Sequence, residues 1–192
     1  MSRFFARGPE PWDPSHRFVT SWLLPPYALF ACRALMSLYA FTTLLFNIIY
    51  QCATPSAGGC AESRRDFSYF TVLTYWGLAF YLLFAALHTF TYARSRPPHS
   101  PLLTSWPPPL QSLHALLYSS VTTYPFLVTV VYWGVLYSYG PAWFPTPLQA
   151  WSNLSQHALN SAFALFEILL PRTTPPSRPL LHAAGLLALL AL

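Results

Sequence analysis

Four long apolar stretches divide the chain, at about residues 27–50, 67–93, 111–138 and 148–170. At about 1.5 Å per residue, each is long enough for a helix to cross roughly 30 Å of hydrocarbon. The polar residues inside them recur at helical spacing. In the fourth stretch Asn153, His157, Asn160, Ala164 and Glu167 fall at i, i+4, i+7, i+11 and i+14, a single face, opposite Leu, Phe and Ala. In the second, Thr71, Thr74, Tyr81, Ala85 and His88 share a face; in the third, His114, Tyr118, Thr122, Pro125, Thr129 and Tyr132 do, with Pro125 predicting a kink. An ionisable side chain at the centre of a membrane helix costs about 2.5–3.5 kcal/mol on insertion scales, so such stripes face a bundle interior. The expected fold is all-α, a polytopic transmembrane helical bundle of four full spans. A last apolar run, 180–192, reaches only about 20 Å as a helix and reads as a truncated fifth span of a longer protein.

The connecting segments fix an orientation. Residues 1–26 read as a cytosolic polar tail with an interfacial stretch around Phe18–Leu24, and 27–192 as the transmembrane domain. No cleavable signal peptide is evident, because the first long apolar run starts late, behind acidic residues and prolines. Arg33, near the start of the first span, is placed to snorkel to the interface. With the N-terminus in the cytosol, Arg3, Arg7, Arg17, Arg94, Arg96, Arg172 and Arg178 share that side, against Arg64 and Arg65 on the other. The stretch QCATPSAGGCAESRRD is then a non-cytosolic loop, RSRPPHSPLLTSWPPP a proline-rich cytosolic one, and the location an endoplasmic-reticulum or other endomembrane.

Composition agrees and excludes other classes. The chain is 54% hydrophobic and only 8% charged, against roughly 25% charged in soluble domains. Its net charge of +5 is scattered over tails and loops, which gives nucleic-acid binding no support. Cys32, Cys52 and Cys60 lack metal-site spacing. Cys52 and Cys60 either pair in an oxidising lumen or remain free thiols. Trp76, Trp133, Trp143 and Trp151 fit interfacial belts and packing, and the sequon Asn153–Ser155 lies within a span, out of reach of the glycosyl transferase.

Two polar layers follow from the orientation. Thr71, Asn153 and His157 fall in the non-cytosolic half; His88, His114 and Glu167 fall in the cytosolic half. In the first, His157 is the type of base that activates a threonine hydroxyl, and Asn153, one turn away, can orient the ring or donate to an oxyanion. The bland alternative is that Thr71 bonds its own helix backbone and His157 joins helices. The second layer reads as interhelical packing or a headgroup-level carboxylate before a metal site, with a proton relay as a further possibility. A scaffold or a transporter remains open beside an enzyme, although no internal repeat favours transport.

WSNLSQHALNSAFALFE resembles a stretch of the androgen-induced and androgen-dependent (FAR-17a-like) membrane protein family, whose pattern is W-x-N-x-x-x-H with Glu ten residues on; Trp151, Asn153, His157, Phe163 and Glu167 match in register. YFTVLTYW is similar to the family's aromatic-hydrophobic-Thr run at the entry to the second span, with Thr71 at the threonine position, and VVYWGVLYSYG is similar to its third span. The wording resembles fungal members most. The resemblance covers about residues 27–192 and implies a multi-pass threonine hydrolase that cleaves fatty acid esters of hydroxy fatty acids. It implies Thr71 as nucleophile, His157 as base, membrane lipid esters as partners, no metal or organic cofactor, and more spans than this chain shows, with an inactive truncated member of the family as the alternative. Asn160, Glu167, His88 and His114 are expected to support the site.

Overall fold

The computed structural model describes residues 13–96, 101–138, 140 and 143–173. The first residues of the expected tail and the expected partial span 180–192 lie outside them. The described residues are all-helical, with no strand beyond an isolated bridge between Ser21 and Pro171. Helix α1 is Pro26–Ala53, α2 Gly59–Asp66, α3 Phe70–Arg94, α4 Leu102–Ser105, α5 Pro108–Val121 and α6 Tyr124–Val131. A π-helical segment, Tyr132–Leu136, continues α6. Helix α7, Pro147–Leu154, runs through a second π segment, Ser155–Leu159, into α8, Asn160–Leu169.

Among the described residues three helices are long and apolar enough to cross a membrane: Pro26–Ala53, Phe70–Arg94 and Pro108–Leu136. The α7–α8 helix expected as the fourth span is helical throughout but is not one of the three. Asn153, Ser155, Gln156, His157, Asn160 and Ser161 dilute its apolar content.

Prolines mark where these helices begin. Proline has no N–H, and the first turn of a helix has no intrahelical acceptor for one, so Pro is tolerated there. It occupies one or both of the first two positions of α1, α5, α6 and α7. Thr146 completes the start of α7 by accepting from the Gln149 N–H at 3.2 Å. The kink expected at Pro125 is a break. In an unbroken helix the missing N–H at position 125 would leave the Val121 carbonyl without a donor. Instead α5 stops at Val121, Thr122 and Thr123 leave helical geometry, and α6 restarts at Tyr124.

The polar stripes of the helices face inward. Tyr81, Ala85 and His88 on α3, His114, Tyr118 and Pro125 on α5 and α6, and Asn160, Ala164 and Glu167 on α8 are all buried. Leu154, Leu159, Leu165, Ile168 and Leu169 of the last helix face outward. Tyr75, Leu78, Ala79 and Leu82 pack with Ala40 and Leu44 to form the apolar core between α3 and α1.

Each end of the bundle is closed differently. At one end the expected loop 51–66 is largely ordered: α1 runs on to Ala53 and α2 follows. Gly58 and Gly59 both have positive φ, and a Cβ on Gly58 would come within 2.7 Å of the Glu62 Cβ, so only glycine turns the chain here. The turn brings Cys60 to Cys52, and the two are disulfide-bonded.

At the other end, residues 13–25 are no free tail. They fold back under the bundle: Val19 is buried, Phe18 packs on His114 and Tyr118, and Ser21 and Trp22 donate to the Leu170 carbonyl. Arg33 does not snorkel. It is fully buried, with Nε and Nη2 donating to Glu167 Oε1 and Oε2 at 2.8 and 2.7 Å. Its Nη1 donates to the Phe18 carbonyl and Thr89 Oγ1, and the Tyr81 hydroxyl donates to Glu167 Oε2. The correction has a plain cause: a carboxylate on α8 reaches the guanidinium in bidentate geometry, and a paired, hydrogen-bonded ion no longer needs the interface.

Removing one partner of a buried pair leaves the other charge uncompensated, at a cost of about 3–5 kcal/mol. Glu167→Ala is therefore expected to lower the unfolding temperature in detergent sharply, whereas the double variant Arg33→Met with Glu167→Leu recovers much of the loss. Equal losses in the single and double variants would contradict this.

Candidate functional site

The expected non-cytosolic layer lies at the disulfide end, and its centre is the π segment Ser155–Leu159. Widening a helix by one residue per turn disturbs the regular pairing of carbonyls, and such segments concentrate at functional sites. Here the His157 carbonyl accepts from two side chains of the neighbouring helix, Thr129 Oγ1 and Trp133 Nε1, both at 2.8 Å. The Ser161 N–H is met by the Asn160 Oδ1 at 2.7 Å, and Thr129 also bonds Ser161 Oγ at 2.6 Å. Asn160, 1% exposed, completes the seam through Pro125.

The His157 ring is held on two sides. Its Nδ1 lies 2.9 Å from the Asn153 carbonyl. A carbonyl only accepts, so Nδ1 carries the proton in the neutral ring and Nε2 keeps its lone pair. Nε2 has no hydrogen-bond partner among the described residues. The Tyr132 ring stacks on the imidazole at a 3.6 Å centroid distance, 22° from parallel. Tyr132 Oη donates to Asn153 Oδ1 at 2.7 Å and accepts from Trp143 Nε1 at 2.8 Å. Asn153 therefore orients His157 through its main-chain carbonyl, while its side chain is engaged by Tyr132 and by the Gln149 carbonyl.

Thr71 sits half-buried in the first turn of α3, which touches the π segment of His157. No hydrogen bond joins Thr71 to His157. Thr71 also fails to bond its own helix, in contrast to Thr42, Thr43, Thr89 and Thr91, whose hydroxyls donate to carbonyls three or four residues back. Its hydroxyl is uncommitted. A cleft lined by Asn47, Asp66, Val72, Trp76 and Gln156, which does not include Thr71, opens at the disulfide end.

The other layer also assembles. His88 and His114 meet at 5.2 Å with perpendicular rings, His114 stacks on Tyr81 at 5.6 Å, and Tyr81 bonds Glu167. Glu167 belongs to Arg33, so the two histidines touch it only through Tyr81. Both His88 ring nitrogens are buried without partners. Among the described residues no group of three or more His, Cys, Asp or Glu is arranged to hold a metal ion.

Arg33 was not expected as a structural partner, and Trp133 and Trp143, expected to serve interfacial belts and packing, also donate hydrogen bonds to the His157 carbonyl and to Tyr132 Oη. The missed signal was charge balance: Arg33 and Glu167 are oppositely charged residues within separate apolar stretches. Compared with known protein families, curated proteins and solved structures, the chain finds no match.

The clamp on His157 is testable. Tyr132→Phe keeps the stacked ring and loses two hydrogen bonds, each worth about 0.5–1.5 kcal/mol net. Tyr132→Leu loses the ring as well. Unfolding temperatures in detergent are expected to fall in the order parent, Tyr132→Phe, Tyr132→Leu; an unchanged Tyr132→Leu would show that the stack carries no stability.

Proposed function

We propose that this protein is an intramembrane hydrolase of lipid esters, with Thr71 as nucleophile and His157 as general base. One observation carries the reading: the Thr71 hydroxyl is released from its own helix while His157, pinned through Nδ1, offers a free Nε2 in the same half of the bundle. A hydroxyl becomes a competent nucleophile when a positioned base takes its proton, and such hydrogen bonds often close only with substrate in place. The resemblance of the Thr71 and His157 segments to the FAR-17a-like family supports the same two roles and names the substrate class, fatty acid esters of hydroxy fatty acids.

In the proposed cycle a lipid ester enters laterally from the bilayer, so its chains never leave hydrocarbon. His157 Nε2 takes the Thr71 proton as Oγ1 adds to the ester carbonyl. Collapse of the tetrahedral intermediate breaks the ester C–O bond, and the leaving alkoxide receives the proton from His157. Water, deprotonated by the same nitrogen, then cleaves the acyl-threonine to give a fatty acid and restore the hydroxyl.

The topology belongs to the same proposal. The α7–α8 helix crosses as a fourth span, and the N-terminus faces the cytosol of an endomembrane. The arginine distribution supports this, as does the Cys52–Cys60 disulfide, which suits the oxidising side assigned to α2.

Membranes containing the chain are expected to react with a fluorophosphonate probe, with labelling reduced at least about 100-fold in Thr71→Ala and in His157→Ala at matched expression. A well-expressed parent that takes no label, or labelling that persists in Thr71→Ala, would overturn the proposal.

A further inference from the structure

Residue 74 lies one turn along α3 from Thr71, where the two Cβ atoms of an i, i+3 pair stand about 5–6 Å apart on one face. Thr74 is 7% exposed, and its Oγ1 is buried with no hydrogen-bond partner. That is unusual on two counts. A hydroxyl buried without a partner pays the full desolvation penalty. A helical threonine also has a remedy at hand, the carbonyl one turn back, which Thr42, Thr43 and Thr89 all use. In the bundle interior the two adjacent hydroxyls on this face of α3, half-buried Thr71 and buried Thr74, both forgo it.

We propose that Thr74 is a further catalytic residue, whose hydroxyl donates to the carbonyl oxygen of the ester as Thr71 attacks it. The inference rests on the hydrolase reading. When Thr71 Oγ1 bonds to the carbonyl carbon, the developing oxyanion lies a further bond length away, and a donor serves it from 2.7–3.1 Å. A hydroxyl one helical turn from the nucleophile spans that gap. Asn153, the donor suggested by sequence spacing, is already held by Tyr132 and the Gln149 carbonyl. In a water-poor interior an unbonded donor is also preorganised, since no protein hydrogen bond has to break before it serves the transition state.

Turnover of a fluorogenic long-chain acyl ester, together with unfolding temperature in detergent, is to be measured on the full chain for the parent, Thr71→Ala, Thr74→Val and Thr74→Ser. Thr74→Val replaces the hydroxyl by a methyl of similar shape. Its kcat is expected to fall about 100-fold with KM little changed. Its unfolding temperature should equal or exceed the parent's, because an unbonded buried hydroxyl has been removed. Thr74→Ser should restore most of the activity. An inactive Thr71→Ala beside a fully active Thr74→Val would overturn the role of Thr74 and leave the hydrolase reading standing. So would a Thr74→Val that loses stability and activity together. A Thr71→Ala as active as the parent would overturn both.

Discussion

A guanidinium and a carboxylate, both fully buried, set the terms for the rest of the bundle. Arg33 on α1 and Glu167 on α8 lie 134 positions apart in sequence and meet in two parallel hydrogen bonds. Neither charge tolerates burial alone, so a helix register that separates them is strongly disfavoured. The remaining Arg33 donor draws in Phe18 and Thr89, and Tyr81 adds a third bond to the carboxylate. One ion pair thereby ties α1, α3, α8 and the N-terminal segment to a single alignment. Hydrophobic burial cannot supply this in a bilayer, where lipid tails are as apolar as leucine.

With α8 so aligned, the face carrying Glu167 also carries Asn160, and the preceding π segment presents His157 to α6. The two ends of the bundle then differ in kind. The salt-bridge end is closed by ionic and aromatic packing under residues 13–25. At the disulfide end two π segments, Tyr132–Leu136 and Ser155–Leu159, face each other, and side chains take over pairing that a regular backbone would provide. A histidine with a fixed tautomer and a threonine with a free hydroxyl both belong to this second, less regular end.

Most of the architecture was legible because a bilayer leaves few choices. Apolar stretches of sufficient length predict the helices, and the 3.6-residue period of their polar residues predicts which faces turn inward; Asn160, Glu167, His88 and His114 all do. The fate of Arg33 was not legible from its own neighbourhood. Nearness to a span end argues for snorkelling, and only the distant Glu167 reverses that. The π segments were equally hidden, because hydrophobic periodicity over a few residues hardly distinguishes a π turn from an α turn. The break before Pro125 was visible as a proline, but its form depends on how the Thr122 hydroxyl and the Thr122 and Thr123 N–H groups satisfy the exposed carbonyls. At the site, sequence supplied the residue types and their depth. It could not show that Thr71 is unbonded or that Asn153 acts on His157 through its main chain.

The proposed hydrolysis passes through a covalent acyl-threonine. Its most direct test is peptide mass spectrometry of the purified chain after brief exposure to a long-chain p-nitrophenyl ester and an acid quench. The proposed mechanism predicts one acyl adduct, on the peptide containing Thr71, which is lost in His157→Ala. An adduct on another residue, or turnover of the ester with Thr71 never acylated, would contradict it.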